Sequence, residues 1–591
     1  MKSEVRTCQN CKNQFTIEPE DFNFYKKINV PPPTWCPECR NVRRMAWREE
    51  RSLYRDTCKL CRKSVVSIHS PDGPFVVYCR DCWRSDKWDL LDYGRDYDFS
   101  QPFFAQYRKL MEAVPRPALT GDNLVNSDFS HACESCKNCY FVFFSYFSED
   151  SQYCYALLLS RDSYDCYVTD NSDHAYESLH SNRLYKVCFG YFADECLNSS
   201  FLFDCVGCSD CFGCVNLRKQ KYCIFNEKLS KDEYMKRIIY WDLGSYARSE
   251  EAKEKFRSLY LSVPHRYAHV LNSQNVTGDI IRDTKDCLTC FSALDGVQNC
   301  KYLYFGGLNL KDSYDISAAG DTSELLYETF GVTRAQRVFL SVGGGGSRDT
   351  LYSDWARNSS NLFGCIGLKN KQYCILNKQY TAEEYKKISA KIRQHMNDMP
   401  YVDWKGREYK FGEFFPTELS AYAYNETWAF RWYPKTKEEV LKEGWGWRDP
   451  HERSYQITVK PEDLPDHIRN VTDSILQETI GCMHAGTCNE QCLTAFRITR
   501  EELNFYREMN IALPRFCPNC RNVQRLQWRN GFHLWQRKCM CGGKKSGDGI
   551  YINTDPHFHG SDPCPNEFET TYLPEKPEIV YCEQCYKTEF L

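Results

Sequence analysis

The stretch "CYALLLSRDSYDCYVTDNSDHAY", residues 154–176, consists of short aromatic and β-branched runs separated by Ser, Asp and Asn. Equivalent positions of these runs recur along the chain about every twelve residues, at Cys139, Cys154, Cys166, Ala175, Val187, Ser199, Cys211 and Cys223. Short strands and turns at a fixed period are typical of a β-solenoid, in which each turn buries its apolar side chains against the next. Buried cysteine would serve there as a small apolar residue.

This region is duplicated. "FGCVNLRKQKYCIFN" (212–226) matches "FGCIGLKNKQYCILN" (363–377) at an offset of 151 residues, which also aligns Tyr176-Glu177 with Tyr327-Glu328. Each copy lies between predicted helices, and capping-box signals at Ser230 and Thr381 open the second helix of each copy. We therefore expect a helix–solenoid–helix unit over 96–240 and a second over 241–395. An aromatic-rich, irregular capping region with a helix is expected over 396–480.

A second interpretation exists for the run that contains Cys205, Cys208, Cys211 and Cys214. Its spacing is close to that of iron–sulfur ferredoxins, in which thiolates bind a cluster. The duplicated copy keeps only Cys365, which favours a structural ladder of buried cysteines.

The N-terminal segment, 1–95, contains four Cys-x-x-Cys pairs. Two such pairs suffice for one tetrahedral zinc ion, because each pair contributes two thiolates from a tight turn. Pairing neighbours along the sequence predicts two sites: Cys8, Cys11, Cys36 and Cys39, then Cys58, Cys61, Cys79 and Cys82.

The C-terminal segment, 481–591, repeats this plan. Aligning 11–48 with 492–529 without gaps leaves 18 of 38 positions identical. The alignment predicts a third site at Cys488, Cys492, Cys517 and Cys520, and a fourth at Cys539, Cys564, Cys582 and Cys585. An insertion splits the first pair of the fourth site and contains three rival ligands, Cys541, His557 and His559. The expected content is about four Zn²⁺ per chain.

The stretch "CQNCKNQFTIEPEDFNFYKKINVPPPTWCPECR" resembles the zinc-ribbon/treble-clef family, in which a Cys-x-x-Cys pair, a Phe-rich helix and a proline precede Cys-x-x-Cys-Arg. The match covers this quoted stretch and its aligned counterpart near the other end of the chain. The resemblance implies a zinc fold and brings no activity with it. The whole chain is also similar to uncharacterised multi-zinc proteins of uncultivated bacteria. The expected fold is multidomain and mainly β with short helices, with paired zinc modules flanking a duplicated solenoid.

The sequence after the second Cys-x-x-Cys pair, "RNVRRMAWREERSLYR", predicts a helix with an arginine-rich face. We expect Arg40 and Arg521 to neutralise the charge of the neighbouring zinc sites. The candidates for nucleic-acid contact are Arg43, Arg44, Trp47, Arg48 and Arg51, with Arg525, Trp528 and Arg529 in the second copy. Charge leaves an alternative open. Residues 1–95 carry 18 Lys/Arg and 13 Asp/Glu whereas 121–230 carry 8 and 15, so the arginine face could dock on the chain's own solenoid.

The remaining features bound the function. Net charge is −3, and neither a signal-like apolar core nor a run of about 18 apolar residues occurs, so we expect a cytoplasmic protein away from membranes. No Gly-x-Ser-x-Gly, His-Glu-x-x-His or phosphate-binding glycine loop occurs. The first hypothesis is a binding or scaffolding factor whose zinc modules contact RNA, DNA or a ribonucleoprotein. The alternatives are a protein–protein scaffold acting through the solenoid, and a solenoid enzyme on carbohydrate or nucleic acid using Asp165, Asp170, Asp173 and Glu177.

Overall fold

The computed structural model describes residues 2–449, 455–488 and 491–591. The chain divides into two compact units that interleave along the sequence. The first comprises Met1–Leu119, Ala268–Asp449 and Phe532–Leu534, and the second comprises Thr120–Tyr267, Pro450–Gly531 and Trp535–Leu591. The N-terminal cysteine pairs therefore share a unit with the second solenoid, and the C-terminal cysteines share a unit with the first.

The first solenoid confirms the β-solenoid prediction. Its strands pair in parallel at a constant offset, as in Tyr155 with Tyr167 and Leu197 with Ser209. This offset is the interval that separates Cys154 from Cys166, and earlier turns continue it through single bridges such as Glu134 with Tyr146. The strands are Gly121–Asp122, Cys133–Glu134, Tyr155–Leu158, Tyr167–Asp170, Asp173–Tyr176, Leu179–Asn182, Tyr185–Tyr191, Leu197–Phe203, Ser209–Val215, Lys221–Ile224 and the antiparallel Glu227–Lys228.

A three-residue period lies inside each turn. Every third residue has a left-handed backbone, as at Phe141 (φ 55°), Phe144 (φ 53°) and Phe147 (φ 51°). The residue after each of these points inward and is small: Val142, Ser145 and Ser148 are fully buried. Left-handed bends at this spacing divide each turn into four short sides, and only small or slender side chains fit the narrow interior.

Inward serines and cysteines make the same hydrogen bonds. Ser145 Oγ donates to the Phe143 carbonyl at 3.0 Å and accepts from the Leu157 amide of the next turn at 2.9 Å. Cys154 Sγ donates to the Gln152 carbonyl at 3.1 Å and accepts from the Cys166 amide at 3.3 Å. Either side chain thus links two turns while satisfying backbone groups that burial would otherwise leave without a partner.

The second solenoid has the same architecture with one variation. Its first turns are one residue shorter than those of the first solenoid, as in Gln274 paired with Lys285, and the next turns are one residue longer, as in Lys301 paired with Tyr314. Its later turns have the same length as those of the first solenoid, as in Gln336 paired with Arg348. The strands are Val270–Leu271, Gln274–Arg282, Lys285–Leu294, Lys301–Gly307, Tyr314–Gly320, Glu324–Phe330, Gln336–Val342, Arg348–Leu351, Ser360–Phe363, Gln372–Ile375 and the antiparallel Lys378–Gln379.

Helices lie around each solenoid. The first unit has Pro19–Ile28, Pro37–Met45, Arg80–Arg84, Phe103–Ala113, Ala382–Asp398, Trp428–Trp432 and Lys437–Glu443, with 3₁₀ turns at Leu90–Tyr93, Thr417–Leu419 and Tyr424–Glu426. The second unit has Lys231–Ile238, Tyr246–Ser262, Arg500–Glu508, Pro518–Leu526 and Glu583–Phe590. Ser230 and Thr381 cap their helices as predicted, each accepting from a backbone amide three residues later. Among the described residues, no helix has the length and apolar character needed to cross a bilayer.

Small antiparallel hairpins complete both units. In the first they are Glu4–Thr7 with Gln14–Ile17, Tyr54–Thr57 with Ser64–Ser67, and Tyr401–Val402 with Glu408–Tyr409. In the second they are Ile480–Gly481 with Ala495–Phe496, and Trp535–Lys538 with Glu567–Thr570. Two short parallel pairs also occur, Val77–Tyr78 with Arg116–Pro117 and His265–Arg266 with Val580–Tyr581.

Two predicted helices differ from the observed ones. The helix expected to continue to Arg55 ends at Met45, and the chain then turns through Arg51 (φ 64°) into a strand from Tyr54. The helix expected before the C-terminal cysteines is three separate 3₁₀ turns, Pro461–Asp463, Ile468–Asn470 and Asp473–Gln477. Pro465 separates the first two turns, because proline removes an amide donor and restricts the residue before it.

Candidate metal centres

The N-terminal cysteines form two clusters that could each hold a metal ion. Cys8, Cys11, Cys36 and Cys39 bring their sulfur atoms within 4.8 Å of one another, and so do Cys58, Cys61, Cys79 and Cys82. In each cluster the first pair lies at the turn of a hairpin and the second pair at the start of a helix. The Cys36 amide donates to Cys8 Sγ at 3.2 Å, and the Cys79 amide donates to Cys58 Sγ at the same distance. The structure thus brings together the eight residues in the two predicted sets.

The third cluster contains a cysteine that the sequence alignment did not select. The sulfur atoms of Cys482, Cys492, Cys517 and Cys520 lie within 4.8 Å of one another. The Cys517 amide donates to Cys482 Sγ at 3.2 Å, so Cys482 takes the place that Cys8 has in the first cluster. The predicted ligand Cys488 lies nearby, with its Sγ 3.7 Å from Cys520 Sγ.

A positional signal for Cys482 was present in the sequence. Cys8 follows the first strand of a hairpin, Glu4–Thr7, and Cys482 follows Ile480–Gly481 in the same way. The connection between the first two ligands is longer in the C-terminal copy, which is why an alignment by Cys-x-x-Cys spacing selected Cys488 instead.

The fourth predicted cluster and the alternative donors from its insertion both come together in the structure. Cys539, Cys564, Cys582 and Cys585 bring their sulfur atoms within 4.8 Å of one another, and Cys541, His557, His559 and Cys585 form a second group by the same measure. Cys585 belongs to both groups. The insertion that separates Cys539 from Cys564 therefore folds back onto the ligands that it interrupts.

Contacts between neighbouring thiols lower the pKa of some members of these clusters and raise the pKa of others, among them Cys36, Cys39, Cys539 and Cys585. A hydrogen bond from Cys36 lowers the pKa of the Cys8 thiol, and one from Cys539 lowers the pKa of the Cys582 thiol. A hydrogen bond from Cys585 lowers the pKa of Cys541 to about 5. Because the thiolate is the form that binds a metal, these clusters have donors that suit a metal cation.

The arginines after the first cluster are buried in their own unit. Arg40, Arg43 and Arg44 are at most 1 % exposed. Arg40 Nη2 lies 2.9 Å from Asp315 Oδ2. Arg43 Nη2 and Arg44 Nη1 lie 3.0 and 2.7 Å from the two Glu328 carboxylate oxygens. Both acids project from the second solenoid, so the helix Pro37–Met45 docks on that solenoid through ion pairs.

The second unit repeats this contact at equivalent positions. Arg521 Nη2 lies 3.2 Å from Asp165 Oδ2, and Arg525 Nη1 lies 2.8 Å from Glu177 Oε2. Glu177 is the counterpart of Glu328 at the duplication offset of 151 residues. The helices Pro37–Met45 and Pro518–Leu526 therefore each bind one solenoid through two equivalent arginines, while Gln524 stands where the first helix has Arg43.

The pKa values of the docking acids and arginines reflect both their burial and the charge of their partners. Burial raises the pKa of Glu177 and of Glu328, and the neighbouring arginines oppose that rise. The pKa of Arg40 is held well above its usual range: burial acts to lower it, and Asp315, Tyr25 and Tyr327 together outweigh that effect. The docking surface is an ion-pair network in which each charge depends on its partners.

The other residues predicted to contact nucleic acid also lie in packing within their units. Trp47 is 5 % exposed and lies 4.6 Å from Phe415 between ring centroids. The Arg48 guanidinium lies 5.0 Å from the Trp428 ring centroid, and Arg51 is 3 % exposed.

In the second unit, Trp528 stacks on Tyr191 at 4.6 Å, and Arg529 Nη1 donates to the Tyr167 hydroxyl at 3.1 Å. These contacts correspond to the alternative in which the arginine face docks on the chain's own solenoid.

Two other groups from the sequence have defined places. Asp165 and Glu177, considered as solenoid catalytic acids, lie in the docking surface, and Asp173 pairs with Arg161. The thiols of the ferredoxin-like run donate to backbone carbonyls, as Cys205 does to Phe203 and Cys214. These are the bonds that the ladder of inward serines and cysteines makes elsewhere.

Comparison with known proteins leaves the chain without an assigned relative. No family model matches it, and no curated protein matches it. Among solved structures it is similar to one from Desulfovibrio desulfuricans G20 whose name suggests an acetyltransferase, at 11 % identity over 56 % of this chain and 94 % of that chain. The TM-score is 0.09, so this likeness carries no argument about fold or function.

Proposed function

We propose that this chain is a zinc-stabilised scaffold in which cysteine modules of the zinc-ribbon/treble-clef kind brace two β-solenoids. The observation that carries the proposal is the repeated docking contact, Arg40 with Asp315 in one unit and Arg521 with Asp165 in the other. In both contacts the arginine follows directly on the last cysteine of its cluster, Cys39 or Cys520. Metal binding and solenoid support are thereby joined in one short segment.

Zinc is the ion that suits the donors. Each of the four clusters offers four thiols, and a set of four thiolates at tetrahedral spacing is typical of structural zinc. Such a site is coordinatively closed and leaves no open position for water or substrate. A structural role for these ions is consistent with their place at the start of the docking helices.

A protein partner fits the solenoid exterior. Phe147 and Leu159 lie one turn apart in the first solenoid and are 52 % and 57 % exposed. Tyr146, the chain neighbour of Phe147, is 40 % exposed. Because aromatic side chains on an accessible surface are common at protein–protein interfaces, we propose that this exposed column binds another protein.

Nucleic-acid binding remains a prediction, but it would need residues other than those first named for it. The arginines and tryptophans first considered for it make contacts inside the chain, so RNA or DNA would have to bind through other residues. We expect Arg43→Ala with Arg44→Ala to loosen the first unit, because Glu328 would lose two buried partners.

The test is a pull-down from cell extract with and without nuclease. We expect the same protein partners after nuclease treatment, and their loss with Phe147→Ser and Leu159→Ser together. Leu308→Ser is the matched control, since Leu308 is 53 % exposed on the other solenoid. Partners that disappear with nuclease, or that survive the double substitution, would contradict the protein-scaffold proposal.

A further inference from the structure

The C-terminal module contains more metal donors than one ion can use. Two groups of four donors share a single member, Cys585, so that seven side chains surround the region: Cys539, Cys541, His557, His559, Cys564, Cys582 and Cys585. Two tetrahedral ions that share one bridging ligand need seven donors, which is the number present. We propose that this module binds two zinc ions bridged by the Cys585 thiolate.

His557 is poised as a ligand. Its Nε2 lies 3.1 Å from Glu589 Oε1, and both side chains are wholly withdrawn from solvent. Its other ring nitrogen, Nδ1, is buried and has no hydrogen-bond partner among the described residues. A carboxylate that fixes the proton on one nitrogen leaves the lone pair of the other for a metal, as in carboxylate–histidine–zinc arrangements.

His559 has the complementary arrangement. Its Nδ1 donates to the Asp562 carbonyl at 2.6 Å, which directs the lone pair to Nε2. That Nε2 lies 3.4 Å from Cys585 Sγ. Each histidine therefore has one ring nitrogen available to a metal, and that of His559 lies against the sulfur that the two groups share.

A thiol in each of the two groups accepts a hydrogen bond from a side-chain amide. Cys541 is 1 % exposed, and its Sγ accepts from Asn553 Nδ2 at 3.2 Å. In the other group, Cys582 Sγ accepts from Asn566 Nδ2 at 3.4 Å. Amide donors to sulfur stabilise thiolates, and a single ion would leave Cys541 and His557 Nδ1 buried without a use.

The insertion explains why this site exists at one end of the chain. The N-terminal counterpart has a two-residue spacer between Cys58 and Cys61, whereas the segment from Cys539 to Cys564 brings three additional ligands. Glu589 also accepts from the Thr554 amide at 2.9 Å, so the insertion is fastened to the last helix next to the proposed second ion. This inference rests on zinc occupying the thiolate clusters, as proposed above.

Native mass spectrometry of the full chain tests the bridge through differences between variants. We expect Cys541→Ser and Cys564→Ser each to lose one zinc ion, and Cys585→Ser to lose two. Cys8→Ser is the comparison, since it should lose one ion and leave this module intact. Loss of a single ion with Cys585→Ser, or no loss with Cys541→Ser, would overturn the bridged pair.

A measurement on the unaltered chain avoids any dependence on variant folding. After replacement of zinc by ¹¹³Cd, the pair should give one resonance for four-sulfur ligation and one for mixed sulfur–nitrogen ligation, with scalar coupling between them through the bridging sulfur. Absence of the mixed-ligand resonance would refute the second ion. A chain without zinc at the Cys8 cluster would instead overturn the proposed function, so the two failures are distinguishable.

Discussion

Arg40 and Asp315 form an ion pair between a cysteine-bearing helix and a solenoid strand, with Arg40 Nη2 2.9 Å from Asp315 Oδ2 and both side chains at most 1 % exposed. Arg40 Nη1 also donates to the Trp35 carbonyl at 2.6 Å. A guanidinium offers five donors in a fixed plane, so one side chain can bind the acid and fix the loop before its own helix. This pair ties the Cys8 cluster to the solenoid.

Removing one partner of this pair should destabilise the first unit strongly. We expect Arg40→Met to lower its free energy of unfolding by about 3–5 kcal/mol, because Asp315 would stay buried with only the longer contact to Arg44 Nη1, at 3.4 Å. The measurement is urea unfolding followed by hydrogen exchange of peptides from the second solenoid. Arg337→Met is the control: its pair with Asp349 is 42 % and 35 % exposed, and its loss should cost less than about 1 kcal/mol. Equal losses for both variants would show that the buried pair has no special role.

The third cysteine cluster distinguishes two cysteines that lie six positions apart. We expect Cys482→Ser to release one zinc ion, since Cys482 occupies the place that Cys8 has in the first cluster. Cys488→Ser should keep the full metal content. Elemental analysis of both purified variants checks this, and the reverse pattern would return Cys488 to the ligand set.

Backbone strain in the first solenoid predicts a stabilising substitution. Val168 is β-branched and has φ 51°, a conformation that costs such residues more than Asn. We expect Val168→Asn to raise the free energy of unfolding by about 1 kcal/mol. Val187→Asn, which places the same side chain in the apolar interior at 0 % exposure, should destabilise the unit. Thermal unfolding of the two variants gives the comparison, and a lower melting temperature for Val168→Asn would contradict the role of strain.

A buried acid predicts how stability depends on pH. Burial raises the pKa of Glu49 to about 8, and the neighbouring Glu50 adds to the rise. Since the unfolded value is about 4.3, the folded state keeps a proton that the unfolded state releases, and stability falls as pH rises between these values. We expect a loss on the order of 2 kcal/mol from pH 6 to pH 8, at about 1.4 kcal/mol per pH unit.

The matching variant is Glu49→Gln, which should show little of this loss at constant free zinc. Glu408→Gln, at an exposed position, serves as the control and should follow the unaltered chain. Melting temperatures measured at both pH values decide the matter. If Glu49→Gln loses as much stability as the unaltered chain, another group is responsible.

The periodic part of the fold was predictable because its signal is in the sequence. The stacked turns follow from the interval between Cys154 and Cys166, and the duplication follows from the matching runs around Cys214 and Cys365. The three-residue inner period was also present, in the small residues at Ser145, Ser148 and Ser151. It escaped detection because the left-handed residues between them are often Phe, Leu or Tyr, which turn rules based on Gly and Asn do not identify.

The arginine surface could not be assigned from sequence for an electrostatic reason. A helix carrying Arg40, Arg43 and Arg44 presents the same cations to a phosphate backbone and to carboxylates. The deciding acids lie far along the chain, Asp315 at 275 residues after Arg40 and Glu328 at 285 residues after Arg43. Charge totals indicated attraction to the acidic segment 121–230, whereas the partner within the first unit is the second solenoid.

The order of the segments has a consequence during synthesis. Arg40 leaves the ribosome 275 residues before Asp315, and Glu177 leaves 348 residues before Arg525. At about 5–20 residues per second, the first arginine surface is without its carboxylate partners for about 14–55 s, and the first solenoid lacks its supporting module for longer. The nascent chain therefore passes through a stage in which guanidinium groups and solenoid acids are all exposed to the cell. Whatever protects this stage must act before either unit can close.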